Sequence, residues 1–133
     1  MDPITGFGGV FIYSNDAAAL AKWYSEHFDL KFEEYSPGKT YGLTFFALDA
    51  EDGETRVGTV FSIFTAEEPL GDSRREFRMN FRIKSATDLR ERLENAGIVC
   101  EPTEDYDYGK FFWANDPDGN RLEFWEPGDL TGF

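Results

Sequence analysis

Hydrophobic and polar positions run along this chain in two rhythms, one of period two and one of helical period. Gly8–Ser14 (GGVFIYS) is rich in β-branched and aromatic side chains and predicts a strand. From Asp16 to His27 the period lengthens, with Ala17, Leu20, Ala21 and Tyr24 on one helical stripe and Asn15 placed to cap the first turn. Strands are predicted next at Leu30–Tyr35, Tyr41–Leu48 and Arg56–Phe64, separated by the Ser36–Lys39 turn and an acidic turn at 50–54. The polar stretch Thr65–Ser73, with Pro69 and Gly71, reads as a linker.

After it the pattern restarts. Phe77–Lys84 predicts a strand, and Ser85 caps a helix over Ala86–Ala96 that ends at Gly97. Ala86, Leu89, Leu93 and Ala96 form its core-facing stripe. Ile98–Pro102 predicts a short strand and Thr103–Tyr108 an acidic, aromatic loop. Lys110–Ala114 and Arg121–Trp125 predict strands joined by the Asn115–Asn120 turn. Sliding the chain by 69 residues lays Ser14 on Ile83, Leu20 on Leu89 and Tyr24 on Leu93. Each half is thus a β-α-β-β-β unit, and one helix cannot cover four strands alone. Two tandem modules, at about 4–66 and 74–127, are expected to pack as one α+β domain, a curved mixed sheet with helices on its convex side.

Composition narrows the function. The 133 residues suffice for one domain. Asp and Glu number 26 against 13 Lys and Arg, a net charge of −13 that disfavours nucleic acid and anionic membrane as partners. No run of 18 apolar residues predicts a membrane span. Met1-Asp2-Pro3 carries neither a basic nor an apolar leader, and with the free Cys100 this suggests a cytoplasmic, reducing setting. A lone cysteine excludes an internal disulfide, and a lone histidine, His27, excludes any single-chain site needing several imidazoles. Aromatic residues reach 17%.

Two segments carry a family resemblance. Asn115-Asp116-Pro117-Asp118-Gly119-Asn120-Arg121-Leu122-Glu123-Phe124-Trp125-Glu126-Pro127 is similar to a closing hairpin, and Asn15-Asp16, Trp23-Tyr24 and Phe28-Asp29-Leu30 to an opening helix. Both belong to the vicinal oxygen chelate superfamily, the glyoxalase/bleomycin-resistance/extradiol-dioxygenase fold, and the chain resembles it over about residues 4–127. In metal-dependent members, the resemblance implies, four inward positions carry His and Glu that hold a divalent ion. Those positions map to Gly9, a residue near Thr59–Phe61, Arg78 and Glu123. Only Glu123 is a metal-type ligand there, and a guanidinium at Arg78 repels a dication, so neither a metal nor another cofactor is expected.

Strand alternation predicts what faces inward instead: Phe11, Tyr13, Arg78, Asn80, Arg82, Arg121, Glu123 and Trp125, with Gly9 leaving room. Glu123 and Arg78 are expected to pair where a metal would sit, and Arg82 with Arg121 to form a positive patch for a carboxylate, phenolate or phosphate. Tyr106 and Tyr108 either close over the cavity or sit on a plain hairpin. Three functions follow. The first is metal-independent binding of a small aromatic or anionic ligand, for which the resemblance implies a homodimer. The second is a lyase, isomerase or dioxygenase with Glu123 as base or metal ligand and Arg78 or Arg82 on an oxyanion. The third is an interaction module without a pocket.

Overall fold

The computed structural model describes residues 7–71 and 78–128. The first module runs β1 (Gly9–Ser14), α1 (Ala17–Phe28), β2 (Glu33–Ser36), β3 (Thr40–Leu48) and β4 (Arg56–Thr65). Its sheet has the order β1-β4-β3-β2, with β1 parallel to β4 and the other pairs antiparallel. The second runs β5 (Arg78–Arg82), α2 (Ala86–Asn95), β6 (Glu104–Tyr106), β7 (Gly109–Asn115) and β8 (Arg121–Pro127), and its sheet repeats that order as β5-β8-β7-β6. The chain divides into two compact units between Gly71 and Asp72. The fold is α+β, two tandem modules of one helix and four strands each, as the sequence predicts. No helix among the described residues is long and apolar enough to cross a membrane.

Each helix packs on one face of its own sheet. In α1 the stripe Ala17, Leu20, Ala21 and Tyr24 is buried, and the Tyr24 ring meets Phe61 edge-on at 5.2 Å. In the second module Leu93 packs among Phe112, Leu122 and Phe124, all essentially inaccessible to water. Burying a side chain of that size contributes about 1.5–3 kcal/mol. Ser85 caps α2 as predicted, accepting from the Asp88 amide. The Glu126 carboxylate adds a second bond at that end by accepting from the Ala86 amide at 2.7 Å.

Local details depart from the sequence reading. Asp16, not Asn15, caps α1, accepting from the Ala19 amide at 3.0 Å. Asn15 instead bonds Leu70 twice, donating from Nδ2 to its carbonyl and accepting its amide at Oδ1, which ties down the segment after β4. Ala96 is exposed at the end of α2, and Val10 is 39% exposed. Ile98–Pro102 is not a strand; the edge strand β6 forms later, inside the predicted loop. Arg90 explains the shift: its guanidinium donates to the carbonyls of Cys100 and Glu101 and to the Thr103 hydroxyl, and Pro102 has no N–H to give a ladder. The predicted strand residue Phe77 and part of the predicted linker, 72–73, lie outside the described residues.

Candidate functional site

In the second module, alternation along β8 and β7 separates two chemistries. Leu122, Phe124, Phe112 and Ala114 are buried on the α2 side. Arg121, Glu123, Trp125, Phe111 and Trp113 therefore lie on the opposite face, joined from β5 by Arg78, Asn80 and Arg82. Glu123, 9% exposed, is the polar centre of that face. Its Oε1 accepts from Asn80 Nδ2 at 2.7 Å and its Oε2 from the Trp113 indole N–H at 2.8 Å. Arg78 Nε lies 3.5 Å from the same Oε2, the ion pair expected from the sequence. The register adds a correction of detail: Asn80, not Arg78, stands directly opposite Glu123, and Arg78 stands opposite Arg121.

Arg121 does not form a free positive patch with Arg82. Its guanidinium binds the Glu101 carboxylate through two nitrogens, at 2.5 and 3.3 Å, and sits 5.8 Å from the Trp113 ring centroid. Arg82 is exposed, and its side chain makes no hydrogen bond or ion pair among the described residues.

Aromatic rings cover the rest of the face. Phe111 lies between Trp113 and Trp125, at 6.4 and 6.3 Å and within 16° of parallel to both. Tyr106 and Tyr108 stack on each other at 5.2 Å and present edges to Phe111. Both tyrosines are about half exposed on the β6–β7 hairpin, where Tyr106 pairs with Gly109 in the ladder. The Tyr106 phenol is pushed above its usual range, first by the Glu104 charge and then by desolvation. Trp125 Nε1 donates to the Tyr108 carbonyl at 3.0 Å. Gly109, at φ 139°, makes that approach possible, because a Cβ there would meet the Glu126 carbonyl and the indole nitrogen. Sequence reasoning missed Phe111 and Trp113. The available signal was alternation against Phe112 and Ala114 in a strand already predicted.

The first module presents a different surface at the matching places. Phe11 and Tyr13, each 56% exposed, flank Phe64 at 5.9 and 5.7 Å. Phe11 stands opposite Ser62 in a parallel pair, as Asn80 stands opposite Glu123. The counterpart of Glu123 is therefore Ser62, just beyond the Thr59–Phe61 range. An open cleft of about 770 Å³ borders this surface, lined by Tyr13, Phe64, Lys39, Thr40, Glu67 and Glu68. A smaller one, about 350 Å³, lies on the α2 side of the second module against Arg90, Glu94, Asp105 and Lys110. Neither includes Glu123.

The four positions that the resemblance assigns to a metal thus hold Gly9, Ser62, Arg78 and Glu123. The one carboxylate among them already accepts two hydrogen bonds and faces a guanidinium. This donor set does not fit a divalent ion. No group of three or more His, Cys, Asp or Glu stands together for a metal among the described residues. His27 sits in the last turn of α1 against the Trp23 ring at 5.2 Å. Burial pushes the thiol of Cys100 up, against the nearby Arg90 charge.

Solved structures share the fold. Lactoylglutathione lyase from Agrobacterium tumefaciens is 19% identical, with a TM-score of 0.64 over 99% of this chain and 100% of that one. A fosfomycin resistance protein from Listeria monocytogenes, complexed with Mn(II), is also 19% identical, with a TM-score of 0.66 over 96% and 93%. An antibiotic binding protein from Streptomyces sp. CB03234 is 16% identical, with a TM-score of 0.68 over 96% and 100%. At such identities the likeness is one of fold. No curated protein sequence matches the chain. A family model does, over residues 6–124, and by that match the chain belongs to the glyoxalase/bleomycin resistance protein/dioxygenase superfamily.

Proposed function

We propose that this protein binds a small aromatic or anionic molecule without a metal, on the face of the second module that carries Glu123. The observation that carries the reading is the saturation of Glu123 by Asn80, Trp113 and Arg78. A carboxylate so engaged serves as an internal anchor that fixes the surrounding strands and rings. To act as a base or metal ligand it would have to release those bonds, at about 1–3 kcal/mol for each buried donor left unpaired. That cost weighs against the lyase, isomerase or dioxygenase reading. The exposed rings of Tyr106 and Tyr108, with Phe111 and Trp125 beside them, supply the apolar contact a small ligand needs. Phe11 and Tyr13 offer a second aromatic surface in the first module. A Streptomyces protein of the same fold is described as antibiotic binding, which agrees with a binding role.

The reading extends to one domain of two modules, a homodimer and a cytoplasmic setting, the last supported by a single free thiol at Cys100. Elemental analysis of purified protein tests metal independence: sub-stoichiometric metal is expected. Stoichiometric zinc, nickel, iron or manganese that disappears in Glu123→Gln would overturn it. A thermal-shift panel of aromatic acids and antibiotics is expected to raise the melting temperature with at least one compound. A flat response across the panel counts against a small-molecule role. Light scattering in solution reads the oligomeric state directly.

A further inference from the structure

We propose that the ligand of this face is a planar aromatic monocarboxylate, its ring lying on Trp125 and Phe111 and its carboxylate held by Arg82. The inference rests on the small-molecule reading above and adds the ligand's chemical class and the residue that selects it. Most polar groups of the face are already engaged. Both Glu123 oxygens accept bonds within the module. Arg121 is held by Glu101, and the Arg78 Nε faces Glu123. The indole N–H groups of Trp113 and Trp125 already donate to Glu123 and to the Tyr108 carbonyl. Of the three arginines on this face, Arg82 alone has no side-chain hydrogen bond or ion pair among the described residues.

Its position makes that charge useful. Arg82 stands opposite Trp125 in the β5–β8 ladder, and Trp125 lies within 15° of parallel to Phe111. Its guanidinium, with no hydrogen bond or ion pair among the described residues, therefore borders the ring platform. A guanidinium only donates, so the polar group it takes must be an acceptor, and its planar fork matches a carboxylate with two parallel bonds. A ligand cation would meet Arg82 and Arg78 on the same strand. A dianionic phosphate would bring a second negative charge to a chain whose net charge is already −13. A single negative charge on a flat ring is what remains.

The test is isothermal titration of the full-length protein with four naphthyl probes: 1-naphthoate, 1-naphthyl phosphate, 1-naphthalenemethanol and 1-naphthylmethylammonium. The naphthoate is expected to bind most tightly. Arg82→Gln should weaken naphthoate about tenfold or more and leave the alcohol unchanged, which also shows that the ring platform is intact. Arg56→Gln removes the same charge from the first module, where Arg56 lies over Phe46. It should leave naphthoate affinity within about twofold. Equal loss in the two variants would mean a long-range charge effect and would overturn the contact. So would tighter binding of the phosphate, or an alcohol or ammonium probe that binds as well as naphthoate. In those cases the small-molecule reading survives and only the ligand class falls. If none of the four probes binds, the small-molecule reading itself fails.

Discussion

Ser62 and Glu123 occupy the same place in two copies of one unit, each on the fourth strand and opposite the same position of the parallel first strand. Around Ser62 stand Phe11, Tyr13 and Phe64. Around Glu123 stand Arg78, Asn80, Trp113 and Trp125. On the helix side the two modules instead follow one rule, with Leu20 and Tyr24 in one and Leu93 in the other buried against Phe and Ile, or Phe and Leu, of the sheet. The difference follows from what each face must do. The helix-side face holds the module together, so its side chains must be apolar and fit. The opposite face only has to satisfy its own polar groups, which leaves it free to carry a serine in one copy and a hydrogen-bonded charge network in the other.

The largest effects should test the shared half of this comparison. Leu20→Ala and Leu93→Ala, both at buried helix positions, should each cost about 2–5 kcal/mol in urea unfolding. A near-neutral result at either site would show that its helix is not part of the core. The hairpin turns come next. Asp116, 4% exposed, accepts from the Asp118 and Asn120 amides and from Asn120 Nδ2, so Asp116→Ala should cost about 2–3 kcal/mol. Asp52 does similar work in the other module but is open to water, so Asp52→Ala should cost clearly less in the same denaturation series.

At the divergent positions the expected gap is narrower. Glu123→Leu should cost about 2 kcal/mol, because it leaves the Asn80 amide and the Trp113 indole without their acceptor. Ser62→Ala, its counterpart, should stay below about 1 kcal/mol. Equal costs would mean that Glu123 is no more of an anchor than Ser62. The smallest effect is one of pH. The Thr55 hydroxyl first, then the Glu54 and Thr55 amides, hold the Asp52 carboxyl down to about 2. With the folded value below the unfolded one, its stabilisation is complete above about pH 4 and fades as the pH falls toward 2. Side-chain NMR titration of Asp52 should report that low midpoint, and Asp52→Asn should remove this part of the acid sensitivity.

Much of the architecture was legible because it depends on local pattern. The helical stripe at Ala17, Leu20, Ala21 and Tyr24, the cap at Ser85 and the Asn115–Asn120 turn each depend on neighbours within a few residues. What was misread depends on partners far away in sequence. Asn15 has the chemistry of a cap, but Leu70, 55 residues on, takes its side chain. Residues 98–102 have strand-like content, but Arg90 takes the carbonyls of Cys100 and Glu101. Trp113 became visible as a partner of Glu123 only once β7 and β8 were in register.

The sequence by itself determined the duplicated order of elements, the apolar side of β1, β5 and β8 and the scarcity of metal-type ligands, because periodicity and residue type are enough for these. Tertiary structure decided how the charges are partnered among the described residues. Arg78 faces Glu123, as the sequence predicts, but only the packed module shows Arg121 held by Glu101 and Arg82 exposed beside Trp125. The physical reason is that an ion pair is set by where two chain segments meet in space, and strand register, not residue type, fixes that meeting.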